Sequence, residues 1–459
     1  MDRGNLFRRT LSTLFFVAIM TFAAVSHAEI YIGEGSYCMS EGENLGVAKE
    51  RAKADAMRNA CEKAGTYVKS YSRARNFELE EDIIETMTAN ILKLIEEKYL
   101  PYEQLDNLEG LMIRIVIKVQ IDDSDITRWL NKDESEKSML VSQMEALRKA
   151  NEEQSRIIAD LRQQLANNPQ DIKQITQKFE AEDKIFLSNQ KVEEGWKLWE
   201  KKDLNGSVKL FDEAIKLNPN NAGAYFGSGL AYSFLGQYDR AIRDYDKAIE
   251  LNPNDDKAYY NRGNAYRHLG QNERAIQDYN KAIELNPNWD WAYNNRGNAY
   301  KELGQKERAI QDFDKAIELN PNSASAYYNR GIAYRNLGQY ERAIQDFNKA
   351  ISLNPNDDEA YNNRGNAYAD LGQNERAIQD YDKSIKLNPN NYNTYTNRSI
   401  TWYYLKEYNK SVEDANKSIK INPNYAKAYQ IRACAYKKLG DDAKAQADFA
   451  KAKQLGYKG

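Results

Sequence analysis

The stretch AYNNRGNAY occupies residues 292–300 and recurs letter for letter at residues 360–368. Its tyrosines, alanines and glycine are residue types that pack well in protein cores. Three asparagines and an arginine, in contrast, cannot all be buried without hydrogen-bond partners. One segment must therefore present an apolar face to a core and a polar face to something else.

Prolines mark a regular period around this stretch. Seven of the nine prolines in the chain are spaced by 34 residues. They are Pro219, Pro253, Pro287, Pro321, Pro355, Pro389 and Pro423. A fixed period of this length predicts a solenoid of stacked repeats. With the proline at position 32, eight repeats begin at residues 188, 222, 256, 290, 324, 358, 392 and 426.

Each repeat is predicted to form two helices. At about 100° per residue, positions 4, 8, 11 and 14 share one face of a first helix, and positions 20, 24, 27 and 28 share one face of a second. The second face carries small, aromatic and small residues at positions 20, 24 and 27, as in Ala309, Phe313 and Ala316. The letters LGQ at positions 14–16 predict the turn, and NPN at positions 31–33 predicts the end of the second helix.

This pattern resembles the tetratricopeptide repeat (TPR) across residues 188–459. The resemblance implies a mainly α fold, a right-handed TPR α-solenoid of eight helix-turn-helix repeats, whose first helices line a concave groove. In some members of the family, asparagines on that groove hold an extended peptide by its backbone, because a carboxamide offers both donor and acceptor. The asparagines of this sequence at positions 6 and 9 are Asn261, Asn264, Asn295, Asn298, Asn329, Asn363, Asn366 and Asn397.

Two interpretations of these asparagines stay open: they bind a partner's backbone, or they solvate a groove whose repeats were copied with their exposed residues. Five position 6 asparagines, one in each repeat at roughly 10 Å spacing, would contact an extended segment of roughly 12 residues. Position 5 varies among the central repeats, as in Tyr260, Asn294 and Tyr328. We expect this position to set partner selectivity at the groove edge.

An arginine at position 7 and an aspartate at position 23 recur through most repeats. The arginine lies at the edge of the core face, where a charge needs a partner. Repeat one has Leu210 instead of the aspartate, and repeat two has Ser228 instead of the arginine. We therefore expect each aspartate to pair with the arginine of the next repeat. Pairing inside each repeat, and arginines that reach into the groove toward acidic ligands, are the alternatives.

The last repeat differs on the face that would meet a further repeat. Positions 21 and 28 are valine or isoleucine in repeats one to seven, but they are Gln446 and Lys453 in repeat eight. We expect this face to be exposed to water and the stacking to end there.

Residues 1–28 are predicted to be a signal peptide. A basic start with Arg8 and Arg9 precedes the mostly apolar run LSTLFFVAIMTFAAV, and small residues at Ser26 and Ala28 suit cleavage after Ala28. The run is shorter than the roughly 20 residues of a membrane-spanning helix, so an uncleaved anchor is the less favoured alternative. The mature protein is expected to be periplasmic or secreted.

Residues 29–130 are predicted to form a small α/β domain, because a strand pattern, an amphipathic helix and the alternating stretch LMIRIVIKVQID follow one another. In an oxidising compartment Cys38 and Cys61 either form a disulfide or remain two buried thiols. The region resembles the envelope domains of flagellar-assembly protein T and of small outer-membrane lipoproteins. A docking or oligomerising role is expected for it.

Residues 131–168 are predicted to form a short coiled coil through which the chain forms a homo-oligomer. The alternative is a single solvated connecting helix, and residues 169–187 are predicted as a helical lead-in to the repeats. The heptad seam holds Leu140, Met144, Leu147, Asn151, Gln154, Ile158, Leu161 and Leu165.

No catalytic residue, metal site or cofactor is expected. His268 is the single histidine after the signal peptide, which argues against histidine-based triads and His-rich zinc sites. No phosphate-binding glycine loop follows a predicted strand. The formal net charge of −3 has the wrong sign for a nucleic-acid partner.

The leading functional prediction is an exported interaction scaffold without enzyme activity, whose partner is a protein or extended peptide of the cell envelope. The order of signal peptide, coiled coil and TPRs resembles a periplasmic cell-division coordinator family. The rival prediction is an adaptor for envelope polysaccharide or flagellar assembly that binds glycan or a folded subunit.

Overall fold

The computed structural model describes residues 28–40, 43–74, 84, 87–89, 92–100, 103–104, 110–132, 134–167 and 172–457. The chain divides into two compact units, residues 1–235 and 236–459. Residues 1–27 of the predicted signal peptide lie outside the described residues, so cleavage after Ala28 stays a prediction. The disulfide stays a prediction as well, because nothing is described of the Cys38 side chain, whereas Cys61 is buried.

The elements of the first unit run from a small sheet into long helices, and the second unit is a series of helix pairs. The first unit contains β1 (Ala28–Ser40), α1 (Leu45–Ala74), β2 (Lys93–Tyr99), β3 (Glu103–Gln104), β4 (Gly110–Asp122), α2 (Asp123–Leu130), α3 (Glu134–Asn167), α4 (Ile172–Glu200), α5 (Leu204–Leu217) and α6 (Ala222–Phe234). The second contains α7 (Tyr238–Leu251), α8 (Asp256–His268), α9 (Asn272–Leu285), α10 (Asp290–Glu302), α11 (Lys306–Leu319), α12 (Ala324–Asn336), α13 (Tyr340–Leu353), α14 (Asp358–Asp370), α15 (Asn374–Leu387), α16 (Tyr392–Tyr404), α17 (Tyr408–Ile421), α18 (Ala426–Lys438) and α19 (Asp442–Gln454).

The small α/β domain is an antiparallel sheet covered by α1. Strand β4 pairs with β1, β2 and β3, and its alternate residues from Ile113 to Ile121 are buried, as a period of two requires. Five alanines spaced four residues apart, from Ala48 to Ala64, form the buried stripe of α1. A Cβ added at Gly35 would lie 2.2 Å from the carbonyl oxygen of Ala52. Alanine on the helix and glycine on β1 therefore allow the two backbones to approach closely.

Helices α3 and α4 form an antiparallel pair inside one chain. Ile158 and Leu161 of α3 share a buried cluster with Phe179 of α4. The Gln154 side chain donates a hydrogen bond to the carbonyl oxygen of Glu182, at 2.6 Å. Three seam positions that were predicted to meet a second chain, Gln154, Ile158 and Leu161, thus pack on the next helix of the same chain. A coiled coil between chains would have to displace α4, and the homo-oligomer stays a prediction.

Helices lie at the positions predicted for all eight repeats, and the mainly α repeat fold is confirmed. Repeat one consists of the C-terminal part of α4 with α5, and each later repeat takes the next two helices. The predicted lead-in is not separate, since α4 runs unbroken from Ile172 into repeat one. Consecutive repeats from α8 onward stack through helices such as α9 on α10 and α11 on α12.

The position 8 glycine lets the two helices of a repeat close on an aromatic ring. A Cβ at Gly297 would lie 2.7 Å from the ring of Phe313 at position 24. The turn glycine at position 15 has a positive φ, for example 76° at Gly304, whereas repeats one and seven place Lys202 and Lys406 in the same conformation, with φ of 64° and 65°. Lysine at this site carries the steric cost of a left-handed residue with a Cβ.

The outer face of repeat eight is polar, as predicted. Gln446 and Lys453 are exposed, whereas the equivalent Ile344 and Ile351 of repeat five are partly and fully buried.

Candidate functional site

The eight asparagines that the sequence singled out all lie on the first helices of repeats three to seven, and all are partly buried. The position 6 side chains connect successive repeats. Asn295 donates to the Tyr260 hydroxyl at 2.8 Å, and Asn329 donates to Asn294 Oδ1 at 3.1 Å. Thus each amide bonds to the position 5 residue of the preceding repeat.

The same connection continues in repeats six and seven. Asn363 donates to the Tyr328 hydroxyl at 3.0 Å, and Asn397 donates to Asn362 Oδ1 at 3.1 Å. The acceptor therefore alternates between a tyrosine hydroxyl and an asparagine carbonyl from one repeat to the next. The position 6 amides thus tie the array together whether or not a ligand is present.

Position 5 has a different role from the one predicted. Asn294 is 6% exposed and Asn362 is 8% exposed, so neither forms a groove edge that a partner could read. The reason is that the following repeat covers this position and supplies its hydrogen-bond donor. Burial raises the pKa of Tyr260 to about 12, so its hydroxyl is protonated at neutral pH.

The amides differ in the hydrogen-bonding capacity that remains. A carboxamide has two N–H donors and one carbonyl acceptor. Asn295 uses both donors, since it also donates to Asn264 Oδ1 at 3.0 Å, and Asn363 donates additionally to the Glu359 carbonyl at 3.0 Å. Asn329 and Asn397 each donate one bond within the described residues.

The remaining site asparagines have partners inside their own repeats. Asn261 donates to the backbone of its own helix at 2.9 Å. Asn264 and Asn366 each accept a hydrogen bond from the position 24 tyrosine hydroxyl, at 2.7 Å and 2.9 Å. Asn298 accepts from Lys301 Nζ at 2.9 Å. The position 9 carbonyls are therefore already engaged by the protein.

The arginine at position 7 is paired, but its main partner differs from the one predicted. Arg330 Nε and Nη2 donate to Asp346 of the same repeat at 2.8 and 2.7 Å. Its Nη1 donates to Asp314, at position 25 of the preceding repeat, at 2.6 Å. The expectation that position 23 pairs with the next repeat is wrong, because positions 7 and 23 are equally far from the turn at position 15 and so face each other across one helix pair.

The two hydrogen bonds to the aspartate at position 23 recur at Arg262, Arg296, Arg364, Arg398 and Arg432. The third partner, at position 25 of the preceding repeat, is an aspartate for Arg262 and Arg398 and an asparagine for the other three. Burial opposes the charge of Arg330, but the hydrogen bonds that it donates to Asp346 and Asp314 raise its pKa above the ordinary value. These arginines are therefore structural and do not reach into the groove as free cations.

Positions 12 and 13 carry the charged side chains near the turn end of the first helices. Arg267 contacts Glu302 of the next repeat at 3.4 Å, and Arg335 contacts Asp370 of the next repeat at 2.7 Å. Both pairs join residues 35 apart, from position 12 to position 13. The sequence analysis missed this ladder, although the 35-residue spacing of opposite charges was a signal that could have found it.

Among the described helices, none is both long and apolar enough to cross a membrane. Repeat models match residues 324–357, 358–391, 210–243 and 415–447 as tetratricopeptide repeat, and residues 235–267, 263–304 and 297–338 as TPR repeat. No curated protein matches the chain.

Several solved structures are similar to parts of the chain. One is a tetratricopeptide repeat protein from Parabacteroides merdae, at 25% identity over 54% of this chain and 98% of that chain, with a TM-score of 0.45. Another is MamA, at 30% identity over 36% and 91%, with a TM-score of 0.34. A third is YrrB, a TPR protein with an unusual peptide-binding site, at 26% identity over 43% and 97%, with a TM-score of 0.35. The helix pairs and the repeat models that match them establish that this chain is a tetratricopeptide-repeat protein, a scaffold for protein–protein interaction.

Proposed function

We propose that the first helices of repeats three to seven bind an extended segment of a partner protein through their asparagine side chains. The observation that carries the proposal is the unused hydrogen-bonding capacity of the Asn329 and Asn397 side chains. Each of them donates only one hydrogen bond among the described residues. A second N–H and a carbonyl oxygen match the acceptor and donor of a peptide unit. Asn329 and Asn397 lie two repeats apart, on the order of 20 Å, which is about six residues of extended chain.

We also propose that the protein is exported and that its N-terminal α/β domain anchors or oligomerises it at a cell-envelope partner. The sequence of residues 1–28 supports export. Because the described α3 seam packs on α4, the α/β domain is the better candidate for docking. Ile30 and Ile32 on β1 are 60% and 46% exposed, which supports an apolar contact there.

The rival function, an envelope adaptor that binds glycan or a folded subunit, is favoured by one observation. Trp291 at position 2 of repeat four is 44% exposed, and an exposed indole ring is suited to stacking on a sugar ring or an apolar side chain. Loss of glycan binding in Trp291→Ala, with peptide binding unchanged, would favour this second function.

The peptide proposal is tested with 12-residue peptides selected from a random library on the full protein. Affinity is measured by fluorescence anisotropy for the wild type and for the double variant Asn329→Ala/Asn397→Ala. We expect a loss of roughly 10- to 100-fold, because several backbone hydrogen bonds of about 1 kcal/mol each are removed. Asn409→Ala, an exposed asparagine on α17, is the matched control.

Thermal unfolding of each variant separates binding from stability, because the position 6 amides also tie repeats together. The proposal fails if the double variant binds as tightly as Asn409→Ala at a temperature where all the proteins are folded.

A further inference from the structure

Position 12 carries a cation in three successive repeats of the second unit: Arg267, Lys301 and Arg335. Arg267 and Arg335 each contact a carboxylate 35 residues later, Glu302 and Asp370. The residue 35 positions after Lys301 is Asn336. An amide cannot neutralise a charge, so the middle cation of the row differs from its two neighbours.

Lys301 has no carboxylate partner in the part of the chain that the structure describes. Its ammonium donates to Asn298 Oδ1 at 2.9 Å, and the neighbouring carboxylate Glu302 is engaged by Arg267. Burial lowers the pKa of Lys301, the charge of the neighbouring Glu302 raises it, and the charge of Arg267 lowers it. A partly buried ammonium that shares its nearest carboxylate with an arginine would be stabilised by a further anion.

An unsatisfied donor belongs to the same row of cations. Arg267 Nε is buried and has no hydrogen-bond acceptor among the described residues. Both Lys301 and Arg267 lie one turn beyond position 9, where Asn298 and Asn264 stand on the groove face. The cations are therefore next to the asparagines of the proposed peptide site.

We propose that Lys301 binds an aspartate or glutamate side chain of the extended segment that occupies the groove, and so selects for an acidic residue at repeat four. This inference rests on the proposed peptide-binding function and adds a selectivity to it. The chain as a whole has a formal net charge of −3, which disfavours acidic ligands in general. A preference for an acidic peptide would thus have to come from a local site.

The test uses two pools of synthetic 12-residue peptides that are identical except for aspartate or asparagine at one central position. Anisotropy at near-physiological salt should show the aspartate pool bound roughly 10-fold more tightly by the wild type, since a charge-assisted hydrogen bond at a partly buried site is only weakly screened. Lys301→Gln should remove the preference. Lys315→Gln is the control, because it removes the same charge from α11, where Lys315 pairs with Glu318 at 2.6 Å. This variant should keep the preference for aspartate.

Asn336→Asp provides a second, independent variant. By the 35-residue spacing of the two observed pairs, it places a carboxylate opposite Lys301. We expect a higher melting temperature together with loss of the preference for aspartate. A lower melting temperature, or a preference that persists in both Lys301→Gln and Asn336→Asp, overturns the inference.

Binding of the two pools to the wild type distinguishes a failure of peptide binding from a failure of the role of Lys301. If both pools bind the wild type equally, the groove binds peptide and only the role of Lys301 is wrong. If neither pool binds, the peptide proposal and the inference from Lys301 are both wrong.

Discussion

We expect Arg330→Met to destabilise the central repeats by about 3–5 kcal/mol, because it leaves the Asp346 carboxylate buried without its partner. The Asp346 side chain is 7% exposed and the Arg330 side chain 18% exposed, so water cannot replace the two bonds at 2.8 and 2.7 Å. The third contact is different, since Asp314 is 52% exposed. Asp314→Ala should therefore cost only about 0–1 kcal/mol, as exposed ion pairs do.

Equilibrium unfolding in urea, followed by circular dichroism, measures the two losses. Hydrogen exchange of residues 324–357 locates them, because a long repeat array can unfold in parts. The double variant Arg330→Met/Asp346→Leu serves as the control, since it copies Leu210, which stands at position 23 of repeat one. Removing both charges should recover most of the stability. Equal and small losses for Arg330→Met and Asp314→Ala would refute the assignment of the main pair to one repeat.

Three further changes test other parts of the fold. Lys406→Gly should stabilise repeat seven by about 1 kcal/mol, because glycine adopts the positive φ without steric cost; in thermal unfolding, Lys406→Ala should give no such gain, and equal effects would contradict the backbone argument. Gly35→Ala should destabilise the α/β domain by at least about 1–3 kcal/mol, because the added Cβ meets the α1 backbone. Gly65→Ala is the control and should stabilise α1 by about 0.5–1 kcal/mol, because the nearest atom to its added Cβ lies 3.9 Å away. Ile158→Asp should lower the protection of α3 from hydrogen exchange equally at about 1 and 100 μM protein, because the partner of the seam is α4; protection of the wild type that rises with protein concentration would instead indicate a coiled coil between chains.

The repeats were predictable because each one carries the same core letters at the same positions. A helical wheel needs only one helix at a time, and it correctly placed Gly297 and Phe313 in the core of a helix pair. Burial by a neighbouring repeat is another matter. Asn294 was predicted at a groove edge, but α12 of the next repeat covers it, and a single helix contains no information about that neighbour.

The sequence spacing alone could not decide which residue pairs with the arginine at position 7. Position 7 has two polar neighbours: position 23 of its own repeat, an aspartate in repeats two to eight, and position 25 of the preceding repeat, which alternates between aspartate and asparagine from repeat two to repeat seven. Only the geometry of the helix pair distinguishes them. Leu210 and Ser228 favoured pairing between repeats, because they replace both members of one such pair, whereas the C-terminal end did not exclude pairing inside each repeat.

Along the first helices, the residues suited to holding a peptide backbone and the residues suited to selecting a side chain lie at different positions. Position 6 carries an asparagine in repeats three to seven, and the second N–H of Asn329 and of Asn397, which donates no bond among the described residues, is suited to holding any extended chain. Positions 12 and 13 of repeats three to six carry charges; Arg267 and Arg335 pair with carboxylates there, whereas Lys301 has no such ion pair among the described residues. Selectivity for the partner would therefore arise one turn away from the asparagines, where the repeats differ in sequence. A substitution at Asn336 or Lys301 would change this selectivity and leave the hydrogen bonds between repeats intact.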